Sequence, residues 1–351
     1  MNHYCTYFDA GFLIQGVALW QSLRAHDPDA VLWVLALDAE VERVLGSVRT
    51  DGLNVVALAE LEADDAELAA VKAQRIRVEY YFTLSPCWPR WLLRRQPALP
   101  AVTYVDADLL FFHRPAEFFA EIASSGASVA ITPHRFPPVL RAYEQWGRFN
   151  VGVLFFRNDP AGRAVLDDWR RRCLEWCADR LEGERFADQK YLDAWPGRFG
   201  KAVHVVAHEG MNLAPWNWSQ YPCRLTADGL WINGKPLIAF HFARFRRVTG
   251  RIWDSGQLEY AVMPGHLRNW VYGRYWQALE AARRGPLLAG RQDHPAARLR
   301  AERAGSRGWL LRFLFGSLWW RFGGRWWALG VPGLGRHSGL WLNRYRQRKQ
   351  P

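Results

Sequence analysis

Along the first hundred residues, short unbroken apolar runs alternate with apolar positions at helical spacing. Residues 3–8 read as a strand, and after Asp9-Ala10-Gly11 the positions Leu13, Val17, Trp20 and Leu23 recur with the period of a helix. Residues 31–37 form a continuous apolar run closed by Asp38, which marks a strand buried on both faces. A helical stretch to about residue 48 and a strand at 54–58 follow, so two successive β-α units predict a parallel sheet with right-handed crossovers. Helical stretches over 66–82 and 88–95 lead to a strand at 101–105, and further strands are expected at 128–132 and 149–157. A helix over 161–179 and a short one over 188–193 come next. Residues 229–242 predict a hairpin, because Asn233-Gly234 separates two apolar runs as a type I′ turn requires. A last helix begins near Pro264. The fold class is α/β, Rossmann-like, with a mainly parallel central sheet flanked by helices.

Charge divides this pattern in two. The chain of 351 residues carries a formal net charge of +12, but 15 of its basic residues and only two of its acids lie between 283 and 351. A nearly neutral body, 1–282, therefore precedes a basic extension, 283–351, expected to be helical. Such asymmetry points to an anionic partner. Residues 308–329 combine Arg312, Arg321 and Arg325 with Trp, Phe and Leu, the composition of a segment lying in a membrane interface, which favours an anionic lipid surface; packing of these aromatics on the body is the alternative, and nucleic acid comes third. Five scattered cysteines without a C-x-x-C pair, no signal peptide and no run long enough to span a bilayer suggest a cytoplasmic protein, peripheral at the inner face of the cell membrane.

The chemistry gathers where strands end. In open α/β sheets, ligands bind at the carboxyl ends of strands. Asp9 stands after the first strand, and Asp106-Ala107-Asp108 stands after the strand at 101–105. Alternate residues of an extended chain point the same way, so the two carboxylates can face one ion. Hard divalent cations choose such oxygens and couple them to substrate phosphates. His204 and His208 are four apart but in a β-prone run, about 13 Å from each other along a strand, which argues against zinc. No P-loop or dinucleotide fingerprint is present.

Five segments together resemble the GT-A class of glycosyltransferases, and within it the retaining family of bacterial lipopolysaccharide galactosyltransferases and glycogenin. They are Thr6-Tyr7-Phe8-Asp9, Asp106-Ala107-Asp108, Phe149-Asn150-Val151-Gly152-Val153, Ala187-Asp188-Gln189-Lys190-Tyr191-Leu192 and Phe240-His241-Phe242, spread over about 70% of the chain. The resemblance implies a transferase of the hexosyltransferase type, using a nucleotide-sugar donor (a UDP-sugar), a saccharide or glycolipid acceptor and Mn²⁺ or Mg²⁺. It implies that Thr6 and Asp9 lie against uracil and ribose, that Asp106 bridges ribose and metal, and that Asp108 and His241 complete the metal shell. Asn150 would face the donor sugar, Asp188 would hold its hydroxyls, and Gln189 would lie beneath the anomeric carbon. Retention of configuration also follows from the resemblance. In the galactosyltransferases a glycine and then a phosphate-contacting lysine follow the late histidine. Here Ala243-Arg244-Phe245-Arg246-Arg247 follows, with Arg246 or Arg247 expected to grip the pyrophosphate. Trp216 and Trp218 are expected either to pack in the core or to stack on an acceptor sugar. The rival is a non-catalytic membrane- or RNA-associated protein with a degenerate sugar-nucleotide fold; Asp106, Asp108, Asp188 and His241, all present, argue against it.

Overall fold

The computed structural model describes residues 1–47, 50–249, 252–288, 318–322 and 325–329. Its centre is a seven-stranded sheet built from β1 (His3–Phe8), β2 (Val31–Ala36), β3 (Leu53–Ala57), β4 (Ala101–Val105), β6 (Val129–Pro133), β7 (Phe149–Arg157) and β8 (Val203–Val205). The order is β3-β2-β1-β4-β7-β6-β8. The first four strands are parallel. β7 runs antiparallel to both β4 and β6, so the sheet is mixed at its second half. β5 (Leu109–Phe111) leaves the sheet after Asp108 and pairs instead with β12 (Ala239–His241).

Helices cover both faces. α1 (Leu13–His26), α2 (Ala39–Gly46), α6 (Ala116–Ser125) and α9 (Gly265–Arg284) contribute to one core, and α3 (Leu58–Asp64), α4 (Ala66–Lys72), α5 (Arg77–Arg95) and α7 (Pro160–Glu175) to the other. A short α8 (Trp195–Phe199) precedes β8. Asp38 caps α2 by accepting from Val41 N at 2.9 Å, and its second oxygen takes Ala10 N at 2.8 Å, tying the β1–α1 turn to the β2–α2 turn. Gly16 on α1 is forced by packing, because a Cβ there would sit 2.3 Å from the Phe8 ring.

Local expectation and structure part at two places. The region expected as helices over 66–82 and 88–95 is instead broken between α4 and α5, and α5 runs through Pro86 and Pro89. Leu84, Trp88 and Leu92 bury one face of α5 against α7, and that packing outweighs the helix-breaking bias of proline. The expected hairpin over 229–242 closes on Asn233 (φ 50°) and Gly234 (φ 83°), joining β10 (Gly229–Ile232) to β11 (Lys235–Pro236) in a meander with β9 (Cys223–Thr226). Its second arm ends there, and the chain crosses to β12 in another sheet.

The extension expected to be helical supplies two strands among its described residues, β15 (Leu318–Phe322) and β16 (Arg325–Leu329). They continue a sheet begun by β13 (Arg246–Thr249) and β14 (Ile252–Asp254). Trp319, Trp320, Trp326 and Trp327 are bulky aromatic residues that favour strands over a helix. The rest of the segment expected at a membrane interface, 308–329, lies outside the described residues. Among the described residues, no helix is long and apolar enough to cross a membrane.

Candidate active site

The loop Asp106-Ala107-Asp108 joins β4, in the main sheet, to β5, in the small one. Antiparallel pairing sets His241 directly opposite Leu109, and Phe242 N donates to Asp108 O at 2.9 Å. His241 thereby stands over the two carboxylates: its Nε2 lies 3.2 Å from Asp108 Oδ1 and 3.6 Å from Asp106 Oδ2. The three residues offer ligand atoms within 4.8 Å of one another, the one such grouping among the described residues. Two carboxylates and an imidazole are a donor set that could hold a divalent cation.

Electrostatics agree with a site made for positive charge. Burial raises Asp106 above the usual carboxylate range and the Asp108 charge adds to this, against the pull of His241 and a 2.8 Å hydrogen bond from Tyr104 Oη. Burial alone would lower the His241 imidazolium, but Asp108 and Asp106 more than reverse it.

Beside the carboxylates stands a second wall. Asp188 follows Ala187, a non-glycine residue held at φ 46°, a strained conformation costing about 1 kcal/mol that turns the chain into the site. Trp169 Nε1 donates to the Asp188 carbonyl at 2.8 Å and fixes that turn. The Asp188 carboxyl is 5% exposed, and its pKa is pushed up to about 7, first by burial and then by Asp106, with Ser85 opposing. Gln189 donates through Nε2 to Trp146 O at 3.1 Å and accepts through Oε1 from Asn150 Nδ2 at 3.2 Å. Asn150 projects from β7 and accepts from Gly152 N at 2.9 Å. Gly152 must be glycine, since a Cβ would lie 2.5 Å from Asn150 Oδ1 and 2.7 Å from His241 Nδ1.

Sequence reasoning missed the layer beneath. Asn212, 1% exposed and at φ 60°, donates through Nδ2 to Asn150 Oδ1 and to Thr132 Oγ1, each at 2.9 Å, and its Oδ1 lies 3.2 Å from His241 Nδ1. His134 Nε2 lies 3.3 Å from Asn150 Nδ2, and burial, reinforced by His241, pushes its pKa down to about 3. These residues come from segments up to 80 positions apart, and no local pattern marks them.

The remaining expected residues are placed as follows. Thr6 is fully buried within β1, its hydroxyl unpartnered among the described residues. Asp9 lies after it and is engaged by Arg77 at 2.6 Å, Tyr81 Oη at 3.3 Å and Gly11 N at 2.9 Å. Trp216 is 4% exposed and meets His241 edge-on, with ring centroids 5.2 Å apart, so it packs beneath His241. Trp218 is half-buried, its indole N–H donating to Ala261 O at 2.9 Å. Arg244 takes the left-handed turn at φ 64° after the late histidine and pairs with Glu259. Arg246 and Arg247 open β13, and their side chains lie outside the described residues. His204 and His208 bind Glu121 and Glu117 separately, at 2.6 and 3.0 Å.

Similarity to other proteins bears on this geometry. The chain is 32% identical to the uncharacterized protein YfnF of Bacillus subtilis over 253 residues, covering 70% of this chain and 82% of that one. It is 31% identical to the uncharacterized protein YfnD of the same organism over 283 residues, covering 77% and 89%. No protein-family model matches it. Among solved structures it is similar to the galactosyltransferase LgtC in complex with donor and acceptor sugar analogues, with a TM-score of 0.50 and 15% identity over 80% of this chain and 95% of that one. The fold is that of the GT-A glycosyltransferases.

Proposed function

Given that the chain belongs to the family of the Bacillus subtilis proteins YfnF and YfnD and has the GT-A fold, we propose that it is a metal-dependent glycosyltransferase. The observation that carries this reading is the convergence of Asp106, Asp108 and His241 at the carboxyl end of β4, 3.2 to 3.6 Å between imidazole and carboxylates, beside the buried Asp188. A divalent cation held there would neutralise charge on the departing nucleoside diphosphate.

The chain's own residues do the rest. Asp188 accepts from or donates to sugar hydroxyls according to its protonation, which changes near neutrality. Asn150 and Gln189, locked to one another and to backbone groups, present amides of fixed orientation to the donor sugar and to the face of its anomeric carbon. Thr6 and Asp9 border the nucleoside, for which a UDP-sugar is the proposed donor. Arg246 and Arg247 are the proposed grip on the pyrophosphate. On the acceptor side, Trp218 has the ring surface to offer a saccharide, while Trp216 supports His241 from below. The acceptor we propose is a lipid-linked or lipopolysaccharide-type saccharide, reached at an anionic membrane surface through the basic, tryptophan-rich extension. Retention of anomeric configuration is part of the same proposal.

Thermal melting against a set of nucleotide sugars, with and without Mn²⁺, tests the donor reading. A ligand that binds only the native state raises its stability. A metal-dependent rise in Tm with a nucleoside diphosphate sugar supports the reading, and equal melting with every nucleotide sugar in Mn²⁺ contradicts it.

A further inference from the structure

Asn212 is the residue through which the two halves of the site hold each other. The hydrogen bonds can be oriented from backbone groups whose roles are not in question. Gly152 N–H donates to an Asn150 side-chain atom at 2.9 Å, so that atom is the carbonyl oxygen. The Asn212 group 2.9 Å from the same oxygen must then be its NH₂, and its carbonyl oxygen is turned to His241. An oxygen 3.2 Å from Nδ1 requires Nδ1 to carry a proton. That leaves the Nε2 lone pair, in the neutral ring, facing Asp108 and Asp106. At the other end, Trp146 O accepts from Gln189 Nε2, so Gln189 Oε1 must face the Asn150 NH₂. A continuous chain of oriented hydrogen bonds therefore runs Gln189–Asn150–Asn212–His241, with backbone groups fixing Gln189 and Asn150.

Resting on the metal-dependent reading above, we infer that Asn212 is a positioning residue that sets the tautomer of His241 for metal binding and, through Asn150, holds the donor-sugar wall in register with the metal. Asn212 is suited to this because it tolerates φ 60°, is 1% exposed, and offers both an acceptor and a two-proton donor from one planar group. Its Nδ2 has a second acceptor in Thr132 Oγ1, which leaves it no freedom to flip. A hydrogen bond of this kind to a ligating imidazole is worth about 10- to 100-fold in metal affinity or activity.

Two substitutions pull the functions apart. Asn212→Gly keeps the left-handed backbone and removes both contacts; Asn212→Asp keeps an acceptor for His241 Nδ1–H but has no N–H for Asn150. Mn²⁺ affinity is measured on the full chain by electron paramagnetic resonance of free Mn²⁺ without any donor, and donor hydrolysis is measured alongside. Asn212→Gly is expected to bind Mn²⁺ about 10-fold or more weakly; Asn212→Asp is expected to stay within about threefold of the unmodified protein, yet to lose about 10-fold or more in hydrolysis. Cooperative melting of each variant certifies the fold, and if Asn212→Gly does not melt cooperatively, the split shown by Asn212→Asp alone decides. Unchanged Mn²⁺ affinity in a folded Asn212→Gly, or equal loss of affinity in both variants, overturns the inference and leaves the metal reading standing. Failure of the unmodified protein to bind Mn²⁺ overturns both.

Discussion

Replacing Asp188 by Asn should make the metal-free protein more stable at pH 8, and by an amount that depends on pH. The carboxyl is 5% exposed, and its pKa is raised from 3.8 to about 7, with burial the largest cause and Asp106 adding to it. Because the folded state holds this proton more tightly than the unfolded chain, stability is greatest below about pH 4 and is lost as pH rises through about 7. A difference of about three pH units at about 1.4 kcal/mol each sets the cost of the buried anion at about 4 kcal/mol above pH 7. Asn has nearly the same shape and no charge to bury, so Asp188→Asn escapes that cost. Urea unfolding in EDTA should show the two proteins within about 1 kcal/mol near pH 4, and the variant ahead by on the order of 2 to 4 kcal/mol at pH 8. The same variant should lose turnover far more than nucleotide affinity. A variant less stable than the parent at pH 8, or a gap that does not change with pH, would refute the reasoning and make Asp188 an ordinary structural carboxylate.

Gly152→Ala forces a methyl group to within 2.8 Å of Asn150 Oδ1 and of the His241 ring, and should cost about 1 to 3 kcal/mol in denaturant unfolding while weakening Mn²⁺ binding; unchanged Mn²⁺ affinity would mean that His241 is not a ligand. Arg170→Leu strands Asp65, whose side chain is 10% exposed and whose pKa is lowered with Arg170 as its leading stabilising partner, and should destabilise the protein by about 1 to 3 kcal/mol at pH 7 with the loss shrinking towards pH 3, read by thermal melting. A chain ending after Leu288 should bind anionic vesicles much more weakly in co-sedimentation while remaining folded by circular dichroism, and the full chain's binding should weaken in salt without vanishing. A folded truncation that sediments as strongly as the full chain would refute the membrane role of the extension.

The parts of this site that sit next to each other in sequence were legible there. Asp106 and Asp108 share a strand end, and a buried apolar run followed by spaced carboxylates is a local signal. The Asn233-Gly234 turn was equally local, and it forms where expected. His241 has no such signal. It reaches the carboxylates only because β12 leaves the meander to pair with β5, a long-range choice that periodicity does not encode, and it was placed by family resemblance. Asn212 and His134 lay further out of reach, since an asparagine at φ 60° and a neutral buried histidine acquire their roles from residues 62 and 16 positions away. The antiparallel β7 was hidden for the same reason: its apolar residues read as a buried strand in either direction. Trp216 shows the converse limit, because composition could not tell a ring that stacks on sugar from one packed under His241.

The central claim is that Asp106, Asp108 and His241 hold a cation on which sugar transfer depends. The most direct test is turnover of a nucleoside diphosphate sugar by the full chain in Mn²⁺, in excess EDTA, and by Asp108→Ala in Mn²⁺. The account predicts release of nucleoside diphosphate in the first case only, with Asp108→Ala still folded by circular dichroism. Full turnover in EDTA, or by Asp108→Ala, would contradict it.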